Sequence, residues 1–347
     1  MTRLIQAMAG APHGGAEAFF ERLVPALARA GVAQRALIRA NSRRAALLRD
    51  AGIDVVELPF GGALDLVTRW GFAREVRAFR PGIVLSWMNR ASRFVPGGDF
   101  VPVGRLGGYY DLKYYRNCRH LIGNTPDIRD WIVAQGWPED RAHYVPNFVT
   151  EPRAAPVPRA SLDTPADARL IVAMGRLHPN KAFDVLLRAM EQVHDAYLWI
   201  AGEGELRAEL EMLAAHLGIR PRVRFLGWRD DAAALYAAAD LFVCPSRHEP
   251  LGNVVIEAWA AGKPVIACAA QGPGQLIIGG INGLLVPVDD DAALAAAIRR
   301  LLAEPGAARA LAEAGRKAYL DRFTEPAVVG RYLAFFEAVT AGISARS

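Results

Sequence analysis

Cysteine is scarce. Cys118, Cys244 and Cys268 are odd in number and lack metal-ligand spacing, which excludes a disulfide framework and a zinc module. All three lie in or beside apolar runs, so buried, inert thiols are expected. No stretch approaches eighteen consecutive apolar residues, so no membrane-spanning helix is expected. The opening "MTRLIQAMAG" lacks the long apolar core of a signal peptide. With so few cysteines, that favours a cytosolic address. Repeats of 20–50 residues are missing too, which argues against a solenoid or propeller.

What is present fits a soluble two-domain chain. Its 347 residues are enough for two cores, at 52% hydrophobic and 22% charged composition. Charge is uneven: residues 1–150 carry a net +7 and the remainder a net −2. A basic front half suits an anionic partner such as a phospholipid surface or a phosphorylated substrate; a genome that prefers arginine would give the same excess. Arg35, Arg39, Arg43, Arg44 and Arg49 cluster around the second strand and the helix after it.

Both halves alternate strand and helix, the pattern of parallel sheets with crossover helices. "RLIQAMA", "QRALIRA", "IDVVELPF", "GIVLSWM", "HLIGNT" and "AHYVPN" read as strands of a first domain, 1–150. "EPRAAPVPRASLDTPAD" (151–167) has four prolines and reads as a linker. The rhythm restarts in 168–323 with "RLIVAMGRL", "AYLWIAGEG", "VRFLGW", "DLFVCPS", "KPVIACA" and "NGLLVPV". The terminal helix, within 324–347, is expected to pack back on the first domain. Two Rossmann-like domains facing each other would put the carboxyl ends of both sheets around one cleft.

Several loops at strand ends carry candidate chemistry. Gly14-Gly15 precede a helix, where free N–H groups and the helix dipole suit an anion; a glycine pair that only turns the chain is the alternative reading. A nicotinamide dinucleotide is a weaker rival. "GAPHGGAE" does not fit G-x-G-x-x-G and no acid closes the second strand, although Arg39, Arg43 and Arg44 could meet a 2′-phosphate. Arg176 and Lys181 in "GRLHPNKAFD" can converge on a diphosphate, and Gly202 and Gly204 in "IAGEGE" permit close backbone approach. In "RHEPLGNVVIEAWAAGKPVIA", Glu249 precedes a helix expected over 253–261 and Glu257 lies inside it. Gly252, Asn253 and Val254 form that helix start. Two acceptors beside helix N–H donors suit a ligand with a sugar at each end and a diphosphate between.

The stretches "GRLHPNKAFDVLLRA", "VRFLGWRDDAAALYAAADLFVCPS" and "EPLGNVVIEAWAAGKPVIA…NGLLVP" resemble the carboxyl domain of family-four retaining glycosyltransferases of GT-B fold. "HGGAEAFFERLVPALARAG" resembles that family's glycine loop, and "HLIGNTPDI…VPNFV" its interdomain passage. The resemblance covers nearly the whole chain. It implies a metal-independent hexosyl transfer from a nucleoside-diphosphate sugar, UDP- or GDP-linked, without further cofactor. Arg176 and Lys181 would hold the diphosphate, Glu257 the ribose and Glu249 the transferred sugar, while Arg229 and Asp231 border the base. A cell-envelope glycan or lipid-linked acceptor is expected, reached from the cytoplasm or peripherally at the inner membrane, with an anionic membrane surface as partner and no nucleic acid.

The chain departs from the family pattern in three places. Ala182 follows the lysine where glycine is usual, and Gln275 stands where glutamate is common. The usual catalytic-region histidine has no clear counterpart: Arg105, Tyr109 and Asp111 lie there, and His13 is the one histidine beside the glycine pair. "VDDD" at 288–291 superficially resembles a metal-binding D-x-D, but it opens a helix, where capping explains it; no metal is expected. A nucleotide-sugar 2-epimerase of the same fold and a non-catalytic sensor are the alternatives.

Overall fold

Short runs of apolar and β-branched residues become parallel strands in the computed structural model, which describes residues 3–11, 14–62 and 64–344. The chain divides into two compact units, Met1–Phe148 with Glu325–Ser347, and Val149–Thr324. The first unit holds β1 (Arg3–Met8), β2 (Ala33–Arg39), β3 (Asp54–Leu58), β4 (Ile83–Trp87), β5 (Val101–Leu106), β6 (His120–Gly123) and β7 (Ala142–Tyr144). They form one all-parallel sheet in the order β3-β2-β1-β4-β5-β6-β7. The second holds β8 (Arg169–Met174), β9 (Ala196–Ala201), β10 (Val223–Gly227), β11 (Leu241–Cys244), β12 (Val265–Cys268) and β13 (Leu284–Val286), ordered β10-β9-β8-β11-β12-β13 and again parallel. Strand order reverses between β1 and β4 and between β8 and β11. A doubly wound sheet binds ligands beside such a point.

Helices on both faces explain why the central strands are buried throughout, as in "IVLSW" of β4. In the helix Gly15–Arg29, Phe19, Leu23 and Leu27 recur every four residues and are buried together with Phe20 and Val24. The helix Glu325–Ser344 returns to this unit, where Val328, Tyr332 and Phe336 join Phe19, Leu23 and Trp87 in one core. All three cysteines are buried; burial pushes the thiol of Cys118 up to about 12 and that of Cys244 up to about 11.

The segment 151–167, expected as a linker, is instead built into the second unit. Val157 N donates to Ala234 O at 3.2 Å, and Trp199 Nε1 to Thr164 Oγ1 at 2.9 Å. Arg159 reaches Ala238 O and the Asp240 carboxylate, each at 3.0 Å. Its prolines rigidify a packed strap, and low apolar content hid the polar ties that hold it.

His120 and His143, on adjacent strands, lie 3.0 Å apart through Nδ1 and Nε2, under the ring of Phe335 from the terminal helix. Burial, then the charge of His143, lowers His120 from 6.5 to about 4; burial also lowers His143. The folded unit thus keeps both rings neutral while an unfolded chain protonates them near pH 6.5. Stability is full above pH 6.5 and falls as pH drops from there toward 4. A melting series between pH 7.5 and 5 should show a decline that shrinks in His120→Gln/His143→Gln; an equal decline in that variant would remove the pair as its cause.

Candidate active site

In the second unit, the loops that leave β8 and β11 meet where the strand order reverses. After β8, the buried Leu177 anchors the turn while Arg176 stays exposed and makes no ion pair among the described residues. The short turn Pro179–Lys181 then leads through Ala182, in the left-handed region at φ 50°, to the helix Phe183–Glu191. That conformation explains why glycine is common there in the resembling family; an L-residue pays about 1–2 kcal/mol for it.

Lys181 Nζ is ion-paired with Glu249 Oε2, both side chains largely sheltered. Ser246 Oγ approaches the same oxygen at 3.5 Å. Backbone bonds fix the two loops to each other: the N–H groups of Arg247 and His248 donate to Asn180 O at 2.9 and 3.1 Å. Gly272 N donates to Glu249 O at 2.7 Å, tying in the loop after β12. The Arg247 guanidinium adds Asp184, at 2.9 and 2.7 Å, and Asp289.

The helix Asn253–Ala260 starts from Gly252, whose φ of 79° suits glycine, with Asn253 and Val254 in its first turn. Glu257, half-buried, accepts a hydrogen bond from Tyr236 Oη at 3.0 Å, and the same hydroxyl lies 3.2 Å from Val254 O. Burial, then the Glu257 charge, pushes the Tyr236 phenol well above its ordinary range. Arg229 and Asp231 follow β10 and pair with each other at 2.7 Å. Every one of these groups sits at the carboxyl edge of the second sheet.

The structure revises several expectations. Gly202 and Gly204 do give close approach, but to backbone: a methyl on either would fall 1.9 Å from Gly175 O or 2.3 Å from Leu177 O. They allow the loop after β9 to lie on the loop that carries Arg176 and Lys181. In the first unit, Gly14 caps its helix without a side-chain bond, and Gly15 is open. A methyl on Gly14 would meet the buried Glu17 carboxylate at 2.3 Å, and Ala11 N donates to that carboxylate at 2.7 Å. The Glu17 carboxylate thus lies beside the glycine pair and holds the loop after β1 through Ala11.

The basic cluster is also mostly neutralised. Arg35 pairs with Asp54 and Glu75, Arg43 and Arg44 with Glu21, and Arg49 with Glu57; Arg39 makes no ion pair among the described residues. Of the three arginines weighed for a 2′-phosphate, Arg44 is buried on Glu21, whereas Arg43 is largely exposed and Arg39 makes no ion pair among the described residues. Arg105 is buried against Phe19 and Trp87, at 4.7 and 4.6 Å, and donates to Tyr332 Oη at 2.8 Å. Tyr109 pairs with Asp127, and Asp111 with Lys113. His13 lies outside the described residues. Asp290 Oδ1 caps the helix Asp291–Ala303 by accepting from Ala293 N at 2.8 Å, and Gln275 is exposed on a short helix.

Sequence reasoning missed Tyr236, Ser246 and Arg247. A lone tyrosine within "AAALYAAA" was the available signal for the first. Nothing local marks Arg247, whose partners are 63 and 42 residues away.

Residues 168–304 match the family model described as glycosyl transferases group 1. Over 330 residues the chain is 42% identical to the lipopolysaccharide core biosynthesis glycosyltransferase LpsD of Rhizobium meliloti (strain 1021), covering 94% of this chain and 95% of that protein. It is 38% identical over 334 residues to LpsE of the same organism, covering 92% and 95%. Among solved structures, a glycosyltransferase from Rickettsia africae superposes with a TM-score of 0.87 at 18% identity, covering 97% of this chain and 98% of that one. Anabaena HepE in complex with UDP gives 0.85 at 20%, covering 97% and 100%. The two doubly wound units are those of the GT-B fold, and the chain belongs to the group 1 glycosyltransferases, a family of transferase enzymes.

Proposed function

We propose that this enzyme transfers a hexosyl group, with retention at the anomeric carbon, from a nucleoside-diphosphate sugar to a lipopolysaccharide-core or related lipid-linked acceptor, working peripherally at the inner membrane. The observation that carries this reading is the Lys181–Glu249 pair at the reversal point of the second sheet. An incoming diphosphate competes with Glu249 for Nζ and draws on the exposed Arg176. Glu249, so released, becomes an acceptor for hydroxyls of the transferred sugar. Glu257 keeps the Tyr236 bond on one oxygen and offers acceptor capacity to the ribose, while Arg229 and Asp231 flank the base. The leaving diphosphate is stabilised by cations and backbone N–H groups in place of a metal.

Names of the relatives support the lipopolysaccharide acceptor, and the UDP complex of HepE supports a UDP donor over GDP. Neither the epimerase nor the sensor gains support from these relatives. The decisive assay incubates the protein with UDP-, GDP- and ADP-sugars and truncated lipopolysaccharide acceptors, following nucleoside diphosphate release and product anomericity by NMR. Inversion, or no release with any donor, would overturn the proposal.

Two further results are expected. Glu257→Gln should raise the Kd for free nucleoside diphosphate, whereas Glu249→Gln should chiefly lower kcat and donor selectivity. Equal loss of nucleotide affinity in both, by calorimetry, would defeat this division of labour. EDTA should leave turnover nearly unchanged; complete loss restored by Mn²⁺ would contradict a metal-independent mechanism.

A further inference from the structure

The helix Leu66–Phe79 of the first unit has two apolar faces. Gly71, Phe72 and Val76 face the core, at the spacing expected of a surface helix. On its other side Leu66, Val67 and Trp70 stand 72%, 64% and 62% exposed, with Leu64 just before the helix at 91%. These four large apolar side chains lie within seven residues. Disorder does not explain them: Asp65 caps the helix, accepting from Thr68 N at 2.9 Å and from Gly61 N at 2.6 Å. A contiguous apolar patch held rigidly in water marks an interaction surface.

Its surroundings identify the partner. Arg69, one residue from Trp70, lines a cavity of about 330 Å³ with Arg93, Lys113, Arg116, Tyr114 and Asn117. That lining holds four cations and no carboxylate. Arg69 and Arg93 both stack on Phe94, at 5.5 and 5.6 Å, which places the two guanidinium groups beside the same ring. Lys113 pairs with Asp111 at its edge. Arg74 lies over the Trp70 ring at 5.3 Å but pairs with Glu75 at 2.6 Å, so the cations of this face are those of the cavity. A protein partner would need apolar area with scattered complementary charge. An apolar tip with a tryptophan beside a basic cavity without a carboxylate in its lining fits a bilayer bearing anionic headgroups instead.

We propose that Leu64, Leu66, Val67 and Trp70 insert into the interfacial layer of an anionic membrane while the cavity of Arg69, Arg93, Lys113 and Arg116 takes a lipid phosphate. Four of the five arginines around β2 are held in ion pairs. This surface instead joins exposed apolar side chains to a basic cavity without a carboxylate in its lining, so the membrane face is placed here rather than at β2. Its purpose rests on the lipid-linked acceptor proposed above, but its test needs no sugar transfer.

The full chain is sedimented with vesicles of phosphatidylethanolamine and phosphatidylglycerol, and with phosphatidylcholine alone. Binding to the anionic vesicles, weakened by salt, is expected. Leu66→Ser/Trp70→Ser should lower it at least tenfold. Arg93→Glu/Arg116→Glu should lower it more than tenfold, since each cation near such a surface contributes about a fivefold factor. Leu66, Trp70 and Arg116 are exposed, and Arg93 is half-buried with its guanidinium on the Phe94 ring. The donor-induced thermal shift should therefore stay at its wild-type value in both variants, and the melting temperature of the Leu66→Ser/Trp70→Ser variant likewise. Dibrominated lipid should quench part of the tryptophan emission, and Trp70→Phe should bind yet lose that part. No binding at low ionic strength overturns the proposal. Undiminished binding in the variants also overturns it while leaving peripheral association by another face intact. Self-association through this face without vesicle binding, seen by light scattering, would assign the patch to a second copy instead.

Discussion

Arg176→Ala combined with Lys181→Ala is expected to lower kcat/KM for sugar transfer by two to four orders of magnitude. A charge-assisted contact to phosphate contributes about 1.5–3 kcal/mol, and two of them at ten- to a hundredfold each give that range. The single variants should differ in character. Arg176 is exposed without an ion-pair partner among the described residues, so its loss should cost little stability and act on the donor alone. Lys181 also neutralises Glu249; removing it leaves a sheltered carboxylate with Ser246 Oγ at 3.5 Å. Lys181→Ala should therefore lose stability as well as activity. Adding Glu249→Gln to it should restore part of the stability and none of the turnover, the coupling expected of residues in contact. Melting curves and initial rates on the four proteins separate the two effects. Wild-type rates in Arg176→Ala/Lys181→Ala would remove both residues from the donor site.

Strands and the carboxyl-edge loops were legible because a parallel sheet writes itself locally. Buried apolar runs such as "LFVC" and "VIAC" are bounded by turn residues, and candidate polar groups sit just past them. Glu249 and Glu257 stood out by contrast with their apolar neighbours. Pairing across long sequence distance was not legible. Lys181 and Glu249 are 68 residues apart, and Glu257 with Tyr236, 21 apart, joins two different helices. Local spacing says which end of a strand a side chain occupies, but not which neighbour in the sheet it will face. The same blindness made 151–167 read as a linker, since one arginine, Arg159, supplies much of what ties it down. It also left Gly202 and Gly204 open to a ligand reading, because a glycine that meets backbone and one that meets a ligand look alike in sequence.

Charge shows the limit most clearly, and Arg44→Ala is expected to destabilise the first unit by about 3–5 kcal/mol, the cost of leaving a buried charge without its partner. In sequence Arg43 and Arg44 are adjacent and equivalent; in the fold they are opposites. Arg44 is 1% exposed and Arg43 58%, though both bind Glu21. Arg44 donates from Nε to Glu21 at 2.9 Å and from Nη2 to Ala11 O at 3.1 Å. Ala11 N in turn donates to Glu17, so the loop after β1 is held at Ala11 through both its N–H and its C=O, by one buried carboxylate and one buried cation. Arg43→Ala removes only an exposed ion pair and should cost about 0.2–1 kcal/mol. For a unit of this size the first change should lower the calorimetric melting transition by roughly 6–20 °C and the second by no more than about 4 °C. Arg44→Lys should fall between them, since it keeps the charge and loses the forked geometry. Arg44→Ala should also speed proteolysis at the loop after β1, which loses its tie to Ala11. Equal melting temperatures for the Arg43 and Arg44 alanine variants would mean that Arg44 is not the buried anchor, and would return both residues to the exposed basic face that their sequence suggested.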